Sequence, residues 1–138
     1  MSTLLPGAQR VSAFLHEFGH AMGRVPEFIG GAASELDLWR FVSQNNRFFD
    51  GDSTTTTSAY FSLDGGASVL AHWGKTSDAS DFLNDAFTGN DPFNEFVGNF
   101  GNLTTLDLLI TEALGYQHPD TAALQAKLEA AKTTGRIQ

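Results

Sequence analysis

Apolar residues recur at helical spacing in two clear stretches of this chain and at strand spacing in a third. Over residues 7–23, Val11, Phe14, Leu15, Phe18 and Met22 follow the i, i+3, i+4, i+7 pattern of one amphipathic helix. Gly23 supplies its stop, and Pro26 forbids its continuation. From Thr104 onward, Leu106, Leu109, Ile110, Ala113 and Leu114 form a second apolar stripe. Thr104 and Asp107 have capping-box spacing at its start, and Gly115 ends it. An Ala-rich run over 120–132, with Leu124 and Leu128 inward, predicts a final helix, so 104–132 reads as C-terminal helices. Residues 134–138 are expected to fray.

Between these helices the pattern is weaker. Residues 24–34 read as a loop, and Glu35 to Phe41 as a short helix with Ser34 as its N-cap. Residues 43–58 are polar and predict a surface loop. Ser58 to Leu63 reads as a strand closed by a turn at Asp64-Gly65-Gly66, and Val69 to Trp73 as a second strand or extended segment. Residues 74–102, rich in Asp, Asn and Phe, predict loops and single helical turns anchored by phenylalanines. The expected fold class is α+β, mainly α, with long irregular loops and one short β-hairpin or strand pair. There is no internal repeat.

The chain has 138 residues, which predicts one domain over 1–138. A net charge of −8 argues against nucleic acid as a partner, because phosphate binding needs a basic patch. There is no cysteine, so any zinc must be held by His, Asp or Glu. No apolar run is long enough to predict a membrane span. The first residues have neither the basic nor the apolar region of a cleavable signal. The alternatives are a cytosolic protein, export without a cleaved signal, or part of a longer chain.

The chemistry is concentrated in the first helix. His16-Glu17-Phe18-Gly19-His20 is an HExxH motif. Positions i and i+4 share a helix face, so His16 and His20 can hold one metal ion, with Glu17 in reach of a metal-bound water as general base. The plainer reading is two surface histidines beside a solvated charge; the amphipathic context favours the metal. A catalytic zinc has three protein ligands and a water. The extended pattern HExxHxxGxxH keeps its glycine as Gly23 but has Pro26 in the third-His slot, so a distant ligand is required. His118 and His72 are the other histidines. A lone His beside Trp73 is more often a packing residue than a ligand. Asp37 is a further candidate, its plainer role being an ion pair with Arg40; Glu27 and Glu35 trail it.

The HEFGHAMG segment, the later Ala71-His72-Trp73, and the closing Leu103-Thr104-Thr105-Leu106-Asp107 with Glu112-Ala113-Leu114-Gly115-Tyr116 occur in one order. That order resembles the leishmanolysin-like, metzincin-like zinc metalloproteases and their bacterial relatives. Leu36 to Phe41, Tyr60 to Gly66, Ser80-Asp81-Phe82 and Asp85-Ala86-Phe87 are similar to a group of secreted bacterial metalloproteases. The resemblances together cover about residues 10–117. They imply a zincin catalytic-helix subdomain, with His16, His20 and His72 as zinc ligands, Asp37 as the alternative third ligand, and Glu17 as base. Within that group the second motif His and the His before Trp vary. No Met lies in the turn expected beneath the zinc, where Leu83 is the nearest substitute. Only fifteen residues precede His16, where the family has a sheet forming one wall of the cleft. The chain is therefore expected to be a fragment or a reduced relative.

The expected function is a zinc-dependent endopeptidase, secreted or extracellular and bacterial, acting on a peptide or protein. Tyr60 and Tyr116 are the tyrosines available to an oxyanion, with no spacing to choose between them. The alternative is a non-catalytic metal- or calcium-binding module on a degenerate protease fold; a zinc hydrolase of another substrate is a third reading. Calcium (Ca2+) is a secondary expectation at Asp50-Gly51-Asp52, Asp64-Gly65-Gly66, and Asp78 with Asp81. Asp and Gly at these places are equally the residues of plain turns.

Overall fold

A computed structural model describes residues 7–25, 33–49, 58–74, 78–83, 88, 91–95 and 101–117, with Ala122, Ala123, Ala126 and Ala130. Among the described residues it is a mixed α+β arrangement of two α-helices and one four-stranded antiparallel sheet. The helices are α1 (Gly7–Ala21) and α2 (Thr105–Ala113). The strands are β1 (Arg40–Ser43), β2 (Asn46–Arg47), β3 (Tyr60–Phe61) and β4 (Ala71–His72), in the order β2-β1-β3-β4. The final helix expected over 120–132 lies largely outside the described residues, as do Pro26, Glu27, Asp50 to Asp52 and His118.

The sheet is larger than the predicted strand pair. The helix expected over 35–41 is one 3₁₀ turn, Leu36–Trp39, after which Arg40 and Phe41 enter β1. Asp37 holds the start of that turn. Its Oδ2 accepts from the Ser34 amide and hydroxyl, closing one turn, while its other oxygen faces Arg40. The polar start of the predicted 43–58 loop is a hairpin, with Asn45 at φ 61 joining β1 to β2. Asn tolerates that conformation because its short side chain can bond locally.

The core lies between the sheet and α2. Leu36, Phe61, Ala71, Trp73, Phe82, Leu109 and Ile110 form one buried cluster, with Trp73 stacked on Phe82 at 5.2 Å between ring centres. Alternation along β4 sends Ala71 and Trp73 to this core and His72 to the opposite face. The Thr104–Asp107 capping box forms as the spacing predicts.

The first helix forms where expected, but the face it buries is shifted from the one that patterning predicts. Val11, Phe14 and Phe18, three of the five stripe residues that patterning assigns to the core, are exposed, while Leu15 and Met22 are half-buried. What α1 buries is Ser12, with Leu15, His16, Gly19 and His20 half-buried. Its anchors are polar or close-packed. Ser12 Oγ accepts from the Gly101 amide. The Phe93 ring lies so near Gly19 that an added Cβ there would overlap it.

Candidate metal site on the first helix

Helix periodicity brings His16 and His20 together, and the chain that follows fixes their orientation. Gly23, at φ 95, closes α1 with a Schellman turn. The Gly23 amide donates to the His20 carbonyl and the Arg24 amide to the Gly19 carbonyl, both at 3.0 Å. This reversal brings the Arg24 carbonyl back to His20, whose Nδ1 donates to it at 2.8 Å. His16 Nδ1 donates to the Pro92 carbonyl at 3.0 Å. A carbonyl oxygen only accepts, so both Nδ1 atoms carry hydrogen, and in the neutral rings both Nε2 atoms carry lone pairs. Those two Nε2 atoms are 2.9 Å apart. Two acceptors at that distance repel unless a proton or a cation lies between them.

The loop of residues 78–82 closes the site from the other side. Asp78 Oδ2 lies 3.9 Å from His20 Nε2, and Asp81 Oδ1 lies 3.8 Å from His16 Nδ1. Asp78 Oδ1 accepts from the Ser80 amide and hydroxyl, each at 2.7 Å. Burial acts to raise the Asp78 carboxyl, but the Ser80 hydrogen bonds and the two histidines outweigh it and hold it below its ordinary value. Two buried arginines grip the same loop. Arg40 Nη2 donates to the Ala79 carbonyl and Arg24 Nε to the Ser80 carbonyl.

Arg24 also joins the site to α2. Its guanidinium is buried, pairs with Asp107, and lies 3.5 Å over the Phe93 ring, which stacks on His16 at 4.7 Å. Burial lowers the Arg24 pKa from its ordinary value, opposed by Asp107 and Asp91. Arg40 is lowered by burial to about 10, opposed by Asp37. Asp91 is pushed up to about 7 by burial first and by Asp107 second. An apolar groove of about 180 Å³ runs alongside, lined by Phe18, Gly19, Met22, Phe93, Leu103 and Leu108.

The remaining sequence candidates lie elsewhere. His72, on β4, faces Tyr60 with ring centres 6.2 Å apart. His72 makes its ring contact with Tyr60 on the sheet rather than with the helix pair, and among the described residues no three His, Asp or Glu side chains already stand at metal-binding distances. Asp37 is buried under Ser34 and Arg40, the ion-pair role weighed for it from the sequence. Glu17 is exposed on α1, and Glu35 and Tyr116 are exposed. Tyr60 is buried and donates to the Gly66 carbonyl, so its hydroxyl is engaged within the fold. Asp64, a calcium candidate, accepts from Ser62 and Ser68 hydroxyls in a plain turn.

Sequence reading missed Pro92 and Phe93 around the pair and the Arg24–Asp107 link, because these rest on contacts about eighty residues apart; the Arg24 carbonyl is local to His20 but depends on the turn geometry after Gly23. Asp78 was visible only as a calcium candidate, although Asp-x-Ser is the signature of the turn that holds it. No family model, no curated protein and no solved structure matches this chain.

Proposed function

We propose that this chain is a zinc-dependent hydrolase cleaving peptide bonds, with His16 and His20 as metal ligands and Glu17 as general base. One observation carries the reading: two Nε2 lone pairs face each other at 2.9 Å, with both Nδ1 atoms committed to backbone carbonyls. Hydrogen-bonding the far ring nitrogen of each imidazole is how proteins orient metal-ligating histidines. Nitrogen ligands without cysteine suit zinc. When bound, zinc supplies Lewis acidity toward water and toward a substrate carbonyl oxygen.

The chain's own residues do the rest. Arg24 and Pro92 carbonyls hold the two rings in register. Glu17 follows His16 directly and is exposed, so it can meet an attacking water, take its proton and return it to the leaving amine. The groove beside α1 offers an apolar surface to a substrate side chain.

A second reading is supported by the absence of a gathered third ligand among the described residues: a metal-binding module without catalysis. Zinc analysis of the purified chain, with casein or quenched-peptide cleavage, separates the two. Glu17→Ala should keep its zinc and lose cleavage. Cleavage at the parent rate in that variant removes Glu17 from its role, and a zinc-bound chain that cleaves no peptide favours the module.

A further inference from the structure

We infer that Asp78, rather than His72, supplies the third metal ligand; this rests on the two-histidine metal site proposed above. The argument is one of which side each group occupies. No three described side chains yet stand at metal-binding distances, but Asp78 Oδ2 lies 3.9 Å from His20 Nε2, on the side where the lone pairs converge. Asp81 lies 3.8 Å from His16 Nδ1, the nitrogen turned away and already bonded to the Pro92 carbonyl, and so stands behind the ring rather than on the lone-pair side. His72 stands on the sheet face opposite Trp73, across from Tyr60.

Asp78 is also prepared for the task. Ser80 occupies Oδ1 through two hydrogen bonds, and Oδ2 is the oxygen nearest His20. The loop is tied at Ala79 and Ser80 by the two buried arginines, and at Asp81 by the Gly74 amide. Donors around a tetrahedral zinc, at its usual bond lengths, are roughly 3.3 Å apart. From 2.9 Å and 3.9 Å, the nitrogens must part slightly and the carboxylate approach by about half an ångström, which side-chain rotation supplies. The Asp78 side chain is 44% exposed, leaving an approach for the ion and room for a fourth, water ligand.

The test uses the full chain and metal affinity rather than activity. Zinc affinity is measured by chelator competition, and ligand geometry by the visible absorption of the cobalt(II)-loaded protein. Asp78→Ala and Asp78→Asn should each weaken zinc by more than about 100-fold, beyond the usual loss from an outer-shell change. Their cobalt bands should lose intensity. His72→Ala should stay within about threefold of the parent. Asp78→Asn keeps an acceptor for Ser80, and its far-ultraviolet dichroism checks that the loop variant is folded. If the Asp78 variants bind like the parent while His16→Ala and His20→Ala do not, the Asp78 assignment falls and the histidine site stands. If the parent binds no zinc, or the histidine variants bind as well as it does, the underlying metal reading falls too.

Discussion

Arg24→Met is expected to be the most damaging single change outside the apolar core. The arginine is 2% exposed, pairs with Asp107, and lies 3.5 Å over Phe93 and 4.5 Å over Phe82. Methionine fills much of the volume but leaves Asp107 and Asp91 buried without their cation. Breaking a buried pair by removing one partner costs about 3–5 kcal/mol. The desolvated cation–π contact, worth about 2 kcal/mol, is part of that figure rather than an addition to it. Asp91 softens the loss, since its carboxyl is already pushed up to about 7 and protonates readily. The expected loss is therefore about 3 kcal/mol, a large share of the 5–15 kcal/mol typical of a domain. In urea, with a slope of about 2 kcal/mol/M, the midpoint should fall by about 1.5 M. Asp107→Asn and the double variant complete a cycle, and the pair should show a coupling of about 2 kcal/mol. Because His20 is held by the Arg24 main-chain carbonyl, the folded fraction of Arg24→Met should retain zinc. A loss under about 1 kcal/mol, or strict additivity in the cycle, would refute the account of Arg24 as the link between the site and α2.

Gly19→Ala should lower stability by about 1 kcal/mol, the middle of the range left by the two opposed terms, in urea titration. The overpacking against Phe93, about 1–3 kcal/mol, outweighs the gain of about 1 kcal/mol from removing a helix glycine, and Phe93→Leu should restore the loss. Asp91 has a folded pKa pushed up to about 7 against an ordinary 3.8, so the folded chain holds an extra proton between those values. Its contribution to stability is present below about pH 4 and fades as pH rises toward 7; Asp91→Asn should flatten that slope in thermal melts from pH 4 to 8, and an unchanged slope would contradict it. Phe14→Gln should change stability by no more than about 0.5 kcal/mol, because Phe14 is 63% exposed. A loss of 3 kcal/mol or more, the cost of truncating a core phenylalanine, would return it to the interior.

What the sequence determined on its own was local. The two long helices, the capping box at Thr104 and Asp107, the stop at Gly23 and the pairing of His16 with His20 all depend on residues within one or two turns of each other. Spacing along a helix carries that information directly. Tertiary structure decided which face of α1 is buried, and it overrode the apolar stripe at Val11, Phe14 and Phe18. Ser12, His16, Gly19 and His20 turn inward because Gly101, Pro92, Phe93 and Arg24 receive them, and none of these partnerships is written in a periodicity. It decided that Leu36–Trp39 is a single 3₁₀ turn leading into a strand, and that residues 44–47 make a hairpin rather than open a loop. It also set Asp78 beside the histidine pair and His72 beside Tyr60. The reason is common to all of these. Local hydrogen bonding is set by neighbours in the chain, but the side of an imidazole on which a carboxylate stands depends on a loop some sixty residues away, held by two buried arginines.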